Sequence, residues 1–232
     1  MATFALPARP QVLDRDKIYR ARYVIAFAVT LASVLELVDT SIVNVAIPHM
    51  MGNLGATLDE VAWVSTGYIV ANVIVLPLTS WLSDRLGRRN YYTGSIILFT
   101  TASFFCGSAR SLELLVFWRV VQGIGGGALI STAQAILFDV FPLQERSQAM
   151  AIFGMGVMVG PTLGPTLGGW ITDNYSWPWI FYINIPLGLL AGFMTWRNVP
   201  EPEHAVNRSG SVDWTGLVFL ILGMAATRRI VG

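Results

Sequence analysis

Three ionisable side chains fall inside stretches that otherwise read as membrane-spanning, and their types and spacing suit them to proton exchange. Glu36 and Asp39 stand three residues apart, on one helical face of an apolar run, and Arg119 stands in another such run. An ionisable group at membrane depth costs several kcal/mol on insertion scales, so each demands a partner or a wet cavity. For a carboxylate beside a guanidinium, burial and the positive neighbour act on proton affinity in opposite senses. On taking up a proton it releases both the arginine and any cationic ligand. The same pair also fits a purely structural role, a buried ion pair that fixes helix register. Glu36 is read either as a second titrating site or substrate-facing acid, or as a polar residue turned toward a neighbouring helix.

The elements that must hold these groups are apolar helices. Hydrophobic residues make up 54% of the 232 and charged residues 12%, about half the charged share of a soluble domain. A spanning helix needs about 20 mostly apolar residues to cross a hydrocarbon layer of roughly 30 Å. Six stretches qualify: Tyr23–Ile47, Val61–Trp81, Tyr91–Ala109, Leu112–Leu137, Ser147–Ile171 and Trp179–Trp196. Short links such as Gly52-Asn53-Leu54-Gly55 and Asp173-Asn174-Tyr175-Ser176 separate them. The predicted architecture is one all-α integral membrane bundle over 23–196. A polar tail over 1–22 precedes it, and a linker over 197–213 and the start of a seventh helix over 214–232 follow. On these spans Asp39 and Arg119 are expected at one level, each roughly 10 to 12 Å deep.

Arginine and lysine set the expected orientation, because cytoplasmic loops collect them. Arg9, Arg15, Lys17, Arg20 and Arg22 precede the first span, Arg85, Arg88 and Arg89 follow the second, Arg146 follows the fourth, and Arg197 and Arg208 follow the sixth. The opposite loops hold only Arg110. The N-terminus is therefore expected in the cytoplasm. A formal net charge of +1 and the lack of a basic stripe with interleaved aromatics argue against a nucleic-acid partner. The single cysteine, Cys106, offers no disulfide, and the two histidines, His49 and His204, fall on opposite sides of the membrane, so no metal site is expected.

Two further patterns suggest moving parts. Gly156, Gly160, Gly164 and Gly168 recur every four residues, with Gly169, Pro161 and Pro165 among them. They clear one helix face for close approach, and the prolines each delete a backbone donor. The pattern reads as a gating hinge or as a tight static crossing. Ser80-Trp81-Leu82-Ser83-Asp84-Arg85-Leu86-Gly87-Arg88-Arg89 reads as a short charged turn. In it Asp84 caps a helix end or pairs with a mobile partner in one conformation.

The residues carry a resemblance. Leu37-Val38-Asp39-Thr40-Ser41-Ile42-Val43-Asn44-Val45-Ala46-Ile47-Pro48, Asp84-Arg85-Leu86-Gly87-Arg88-Arg89, Arg119-Val120-Val121-Gln122-Gly123 and Gly160-Pro161-Thr162-Leu163-Gly164-Pro165 occur in that order, followed by Trp179-Ile180-Phe181-Tyr182-Ile183-Asn184-Ile185-Pro186. Together they resemble the signatures of the major facilitator superfamily, and specifically its fourteen-span drug:proton antiporters of the EmrB/QacA type. Ser80 stands where the loop signature usually has glycine, and Pro178 where arginine is common. The resemblance implies the N-terminal six-helix bundle of the major facilitator fold, built as two inverted three-helix repeats. It implies a secondary transporter, not an enzyme, driven by the proton motive force without a bound cofactor. Asp39, Arg119 and Glu36 would serve proton coupling. Asp84, Arg85, Gly87, Arg88 and Arg89 would steady one conformation, and the glycine-proline helix would gate. Amphipathic, often cationic, compounds would be exported across the inner membrane, with a periplasmic adaptor and an outer-membrane channel as partners by analogy.

A superfamily member places its substrate between two six-helix halves. Trp214–Thr227 supplies about 14 apolar residues where roughly 20 are needed to span. The sequence is therefore expected to be a truncated N-terminal fragment of such an exporter. The alternative is an inactive membrane fragment or interaction module.

Overall fold

In the computed structural model, residues 13–200 and Gly216 are described, with side chains from Ala21 onward. Of the linker expected over 197–213 only 197–200 are among these residues, with Arg197 and Asn198 closing the last helix, and the seventh-helix expectation lies outside them apart from Gly216. The first helix, α1 (Leu13–Leu54), is followed by α2 (Leu58–Val75), α3 (Thr79–Leu86), α4 (Arg88–Gly107), α5 (Leu112–Gly126), α6 (Leu129–Val140), α7 (Arg146–Asn174), α8 (Trp179–Tyr182) and α9 (Asn184–Asn198). Helices α2 and α3 join through a 3-10 turn, Leu76–Leu78, centred on Pro77, which lacks an N–H and cannot continue an α-helix smoothly. Likewise α5 runs into α6, and α8 into α9, so the described residues form six rods.

Five of the rods are long and apolar enough to cross a membrane: Ala21–Leu54, Leu58–Leu86, Leu112–Val140, Arg146–Asn174 and Trp179–Asn198. The remaining rod, α4, is 20 residues long, about 30 Å at helical rise. Its composition is diluted by Thr93, Ser95, Thr100 and Ser103, all of which it buries against the other helices.

Several helices outrun their predicted spans. The first is helical from Leu13 to Leu54, not from Tyr23 to Ile47, so the tail predicted over 1–22 is helical from Leu13 on. Gly55, at φ 62°, makes the reversal that the sequence suggested for Gly52–Gly55. The predicted charged turn over Ser80–Arg89 is likewise helix on both sides of a single residue, Gly87, at φ 85°. Hydropathy locates the apolar part of a helix, whereas its polar ends extend into water with their hydrogen bonds intact.

Chain reversals place Arg22, Arg85, Arg88, Arg89, Arg146 and Arg197 at one end of the bundle and Arg110 at the other. At the arginine-rich end Arg22 pairs with Glu145 at 3.0 Å, and Arg88 pairs with Asp139. Two apolar clusters fill the interior. One, toward that end, gathers Ile25, Val29, Phe99, Leu129, Ile136 and Phe153; the other gathers Ile42, Met50, Val61, Leu115, Ile180 and Phe181. The ionisable residues lie between them.

Candidate functional site

Asp39 and Arg119 meet in the bundle interior. Arg119 Nη1 donates to Asp39 Oδ2 at 2.6 Å, and the two side chains are 1% and 0% exposed. The separate depth estimates made from two spans thus place the pair at one level. A buried ion pair survives only when its remaining donors and acceptors are satisfied, and neighbouring helices supply the partners. Arg119 Nε donates to the Val64 carbonyl at 3.1 Å, and its guanidinium lies 4.2 Å from the centre of the Tyr68 ring. Nη1 also donates to Gln122 Oε1 at 2.7 Å. On the carboxylate, Oδ1 accepts from Gln122 Nε2 at 3.0 Å and from Asn184 Nδ2 at 2.6 Å.

Local sequence explains why these partners can reach. Gly123 follows Gln122, and a Cβ there would collide with the Tyr68 carbonyl oxygen, so only glycine lets α2 lie against α5 closely enough for Val64 to accept from Arg119. Pro186 lacks the N–H that Tyr182 would bond in a continuous helix. The rod breaks between α8 and α9 at Ile183, just ahead of that proline, and beside the break the Phe181 carbonyl accepts from Ser103 Oγ at 3.0 Å. Asn184, the first residue after the break, turns its amide to both Asp39 and Ser103 Oγ, the latter at 2.9 Å.

Glu36 lies one turn from Asp39 but is not part of this pair. Its Oε1 accepts from Asn72 Nδ2 at 2.8 Å, while Oε2 is buried without a hydrogen bond, as is the Tyr68 hydroxyl. Gln122, Asn184, Ser103 and Asn72 were not singled out as site residues from sequence. The signal available was an amide side chain inside an apolar span for Asn72, Gln122 and Asn184; the Ser103 hydroxyl offered none.

The other predicted residues are spread along the bundle. Arg85 lies 5.2 Å from the Trp81 ring centre, Asp84 and Arg89 are half-buried at the same end, and Gly87 separates α3 from α4. The glycine helix packs on α1 in the most extensive helix contact of the bundle. A Cβ on Gly156 would meet Thr30 at 2.5 Å, one on Gly160 would meet Leu37 Cβ at 2.6 Å, one on Gly164 would strike Ser41, and one on Gly168 would meet Ile42 at 2.9 Å. Gly169, one residue beyond the four-residue period, lies off this seam: a Cβ there would meet nothing within 4 Å. Pro161 and Pro165 are exposed, and α7 remains one helix through both.

Six helical rods around a buried ion pair define a multi-pass membrane protein built like a transporter. The chain belongs to the Major Facilitator Superfamily, whose family pattern matches residues 29–230. It is 42% identical over 203 residues to the multidrug export protein EmrB of Escherichia coli, covering 88% of this chain and 40% of that protein. With the fatty acid resistance protein FarB of Neisseria gonorrhoeae the identity is 39% over 207 residues, covering 89% of this chain and 41% of FarB. The chain thus spans about two fifths of the length of the curated relatives it matches. Among solved structures, the fold superposes on the proton:xylose symporter XylE with TM-score 0.72 at 16% identity, over 91% of this chain and 52% of XylE. It superposes on the human organic anion transporter MFSD10 with TM-score 0.65 at 23% identity, over 86% of this chain and 53% of MFSD10.

Proposed function

We propose that this chain forms the N-terminal half of a proton-coupled exporter of amphipathic, often cationic, compounds, in which Asp39 exchanges a proton for the positive charge of Arg119 or of substrate. The observation that carries the reading is the Asp39–Arg119 pair, joined at 2.6 Å with both side chains almost fully buried. Breaking one partner of such a pair costs about 3–5 kcal/mol, so uptake of a proton by Asp39 is a strong signal to its surroundings. The resemblance to EmrB supports export of drugs. Glu36, bonded to Asn72 and with one oxygen unpartnered, fits a second proton or substrate contact.

In this reading the arginine-rich end faces the cytoplasm of the inner membrane, with the N-terminus on the same side. The motif from Asp84 to Arg89 steadies one conformation there. The glycine-lined seam of α7 lets helices rock without side-chain obstruction. The proton motive force is the energy source, and a periplasmic adaptor and outer-membrane channel complete the route by analogy.

The test uses this chain joined to a second six-helix half, in everted vesicles with an inside-acid proton gradient and a fluorescent cationic dye in the outside medium. A proton gradient should drive dye movement in the parent protein and not in Asp39→Asn. Gradient-driven movement that persists in Asp39→Asn removes Asp39 from the mechanism.

A further inference from the structure

We propose that Asn184 is a positioning residue whose side-chain amide reverses when Asp39 is protonated, donating to the carboxylate in one state and accepting from the carboxylic acid in the other. The inference rests on the proton-exchange reading of Asp39 and deepens it.

The carboxylate of Asp39 is surrounded by donors alone: Arg119 Nη1 on Oδ2, and Gln122 Nε2 and Asn184 Nδ2 on Oδ1. That shell suits an anion. A proton arriving from water and settling on Oδ1 turns an acceptor into a donor, and the new O–H needs an acceptor in a site that is 0% exposed at both Asp39 and Asn184.

Of the three neighbours, arginine has no acceptor to offer. The Gln122 amide is fixed, because its Oε1 already accepts from Arg119 Nη1 at 2.7 Å and from Cys106 Sγ at 3.6 Å. Reversing it would set an NH2 group against the guanidinium. Asn184 is different: its Oδ1 is buried with no hydrogen-bond partner, so its orientation is held only by the two bonds its Nδ2 donates to Asp39 Oδ1 and Ser103 Oγ, and the first of these loses its charged acceptor when Asp39 is protonated. A buried, unpaired amide oxygen in a native site calls for an explanation. Rotated by half a turn, the amide presents Oδ1 where Nδ2 now stands, facing both Asp39 Oδ1 and Ser103 Oγ. The Asp39 O–H can then donate to it, and the Ser103 hydroxyl can do so if it turns away from the Phe181 carbonyl to which it now donates. The proton remains on Asp39, and Oδ2 is left as a neutral carbonyl whose hold on Arg119 is weakened.

The titratable and charged groups facing Asp39 are Glu36 on α1, Tyr68 on α2, Cys106 on α4 and Arg119 on α5. On α9 the facing group is the neutral amide of Asn184. None of the four charged or titratable groups supplies the reversible acceptor that the amide does.

The test is acid-induced infrared difference spectroscopy on the 232-residue chain in lipid nanodiscs. The parent protein should show a carboxylic-acid C=O band, absent in Asp39→Asn, together with a side-chain amide C=O change that disappears in Asn184→Leu. In Asn184→Leu the Asp39 band should shift to higher frequency, since the new O–H has lost its acceptor. Asn184→Ser, which keeps a group able to donate and accept, should restore it toward the parent position. Ser103→Ala should alter the amide band while leaving the Asp39 band in place. An Asp39 band unmoved in Asn184→Leu overturns this inference alone. Absence of any Asp39-dependent band overturns the proton-exchange reading along with it. Protection of Cys106 from a maleimide reports that each variant is folded, because that thiol is fully buried.

Discussion

Gly160→Ala should destabilise the bundle, whereas the same change six residues earlier, Gly154→Ala, should not. A Cβ on Gly160 would sit 2.6 Å from Leu37 Cβ, 3.2 Å from the Val38 amide nitrogen and 3.3 Å from the Leu37 carbonyl carbon. Carbon atoms prefer to lie about 3.5–4.0 Å apart, so relief requires α1 and α7 to separate by about 1 Å. The obstacles are backbone atoms and a Cβ, which no rotamer change can move. Overpacking of this kind costs about 1–3 kcal/mol, against which alanine regains up to about 1 kcal/mol of helix propensity over glycine. The net expectation for Gly160→Ala is a loss of about 1–2 kcal/mol. Gly154 meets nothing within 4 Å, so Gly154→Ala should be neutral or stabilising by up to about 1 kcal/mol. The single cysteine supplies the assay: the rate at which Cys106, buried in the native bundle, reacts with a maleimide across an SDS titration in mixed micelles reports unfolding. Equal stabilities for the two variants would refute the claim that the seam is closed by backbone contact at Gly160.

Arg119→Met should destabilise the chain by about 3–5 kcal/mol in the same assay, because it strands the Asp39 carboxylate; adding Asp39→Asn should recover a measurable part. Arg88→Gln should cost no more than about 1 kcal/mol and the loss should shrink in high salt, since its partner Asp139 has a side chain 54% exposed. Gly87→Ala should cost about 1–3 kcal/mol, because φ 85° is a conformation that other residues rarely adopt; a thermal melt in detergent reads it.

The spans were readable because membrane helices declare themselves by uninterrupted apolar length. Their ends were not, since nothing in the composition of Leu13–Arg22 separates a helix from a polar tail. The level shared by Asp39 and Arg119 could be estimated because helical rise converts residue number into depth. The companions of the pair were hidden for a different reason. Gln122, Asn184 and Ser103 carry no charge to mark them, and they acquire meaning only when α4, α5 and α9 bring them around Asp39 on α1. The partnership of Arg88 with Asp139 was hidden likewise, as the loop reading looked only along its own segment.

The seam between α1 and α7 also raises a question of addressing. Thr30, Leu37, Ser41 and Ile42 each nest beside one of four glycines, and partner numbers rise together along both helices. The notches on α7 recur every four residues, about 6 Å apart, but the side chains that enter them stand seven, four and one residues apart on α1 and differ in size. A slip of one notch would therefore bring unlike groups together, and the uneven set of partners chooses one alignment. The half-buried Arg22–Glu145 pair, tying α1 to the residue just before α7, closes at that same alignment. A repetitive joint is thus given a single stopping place by the irregularity of what fits into it.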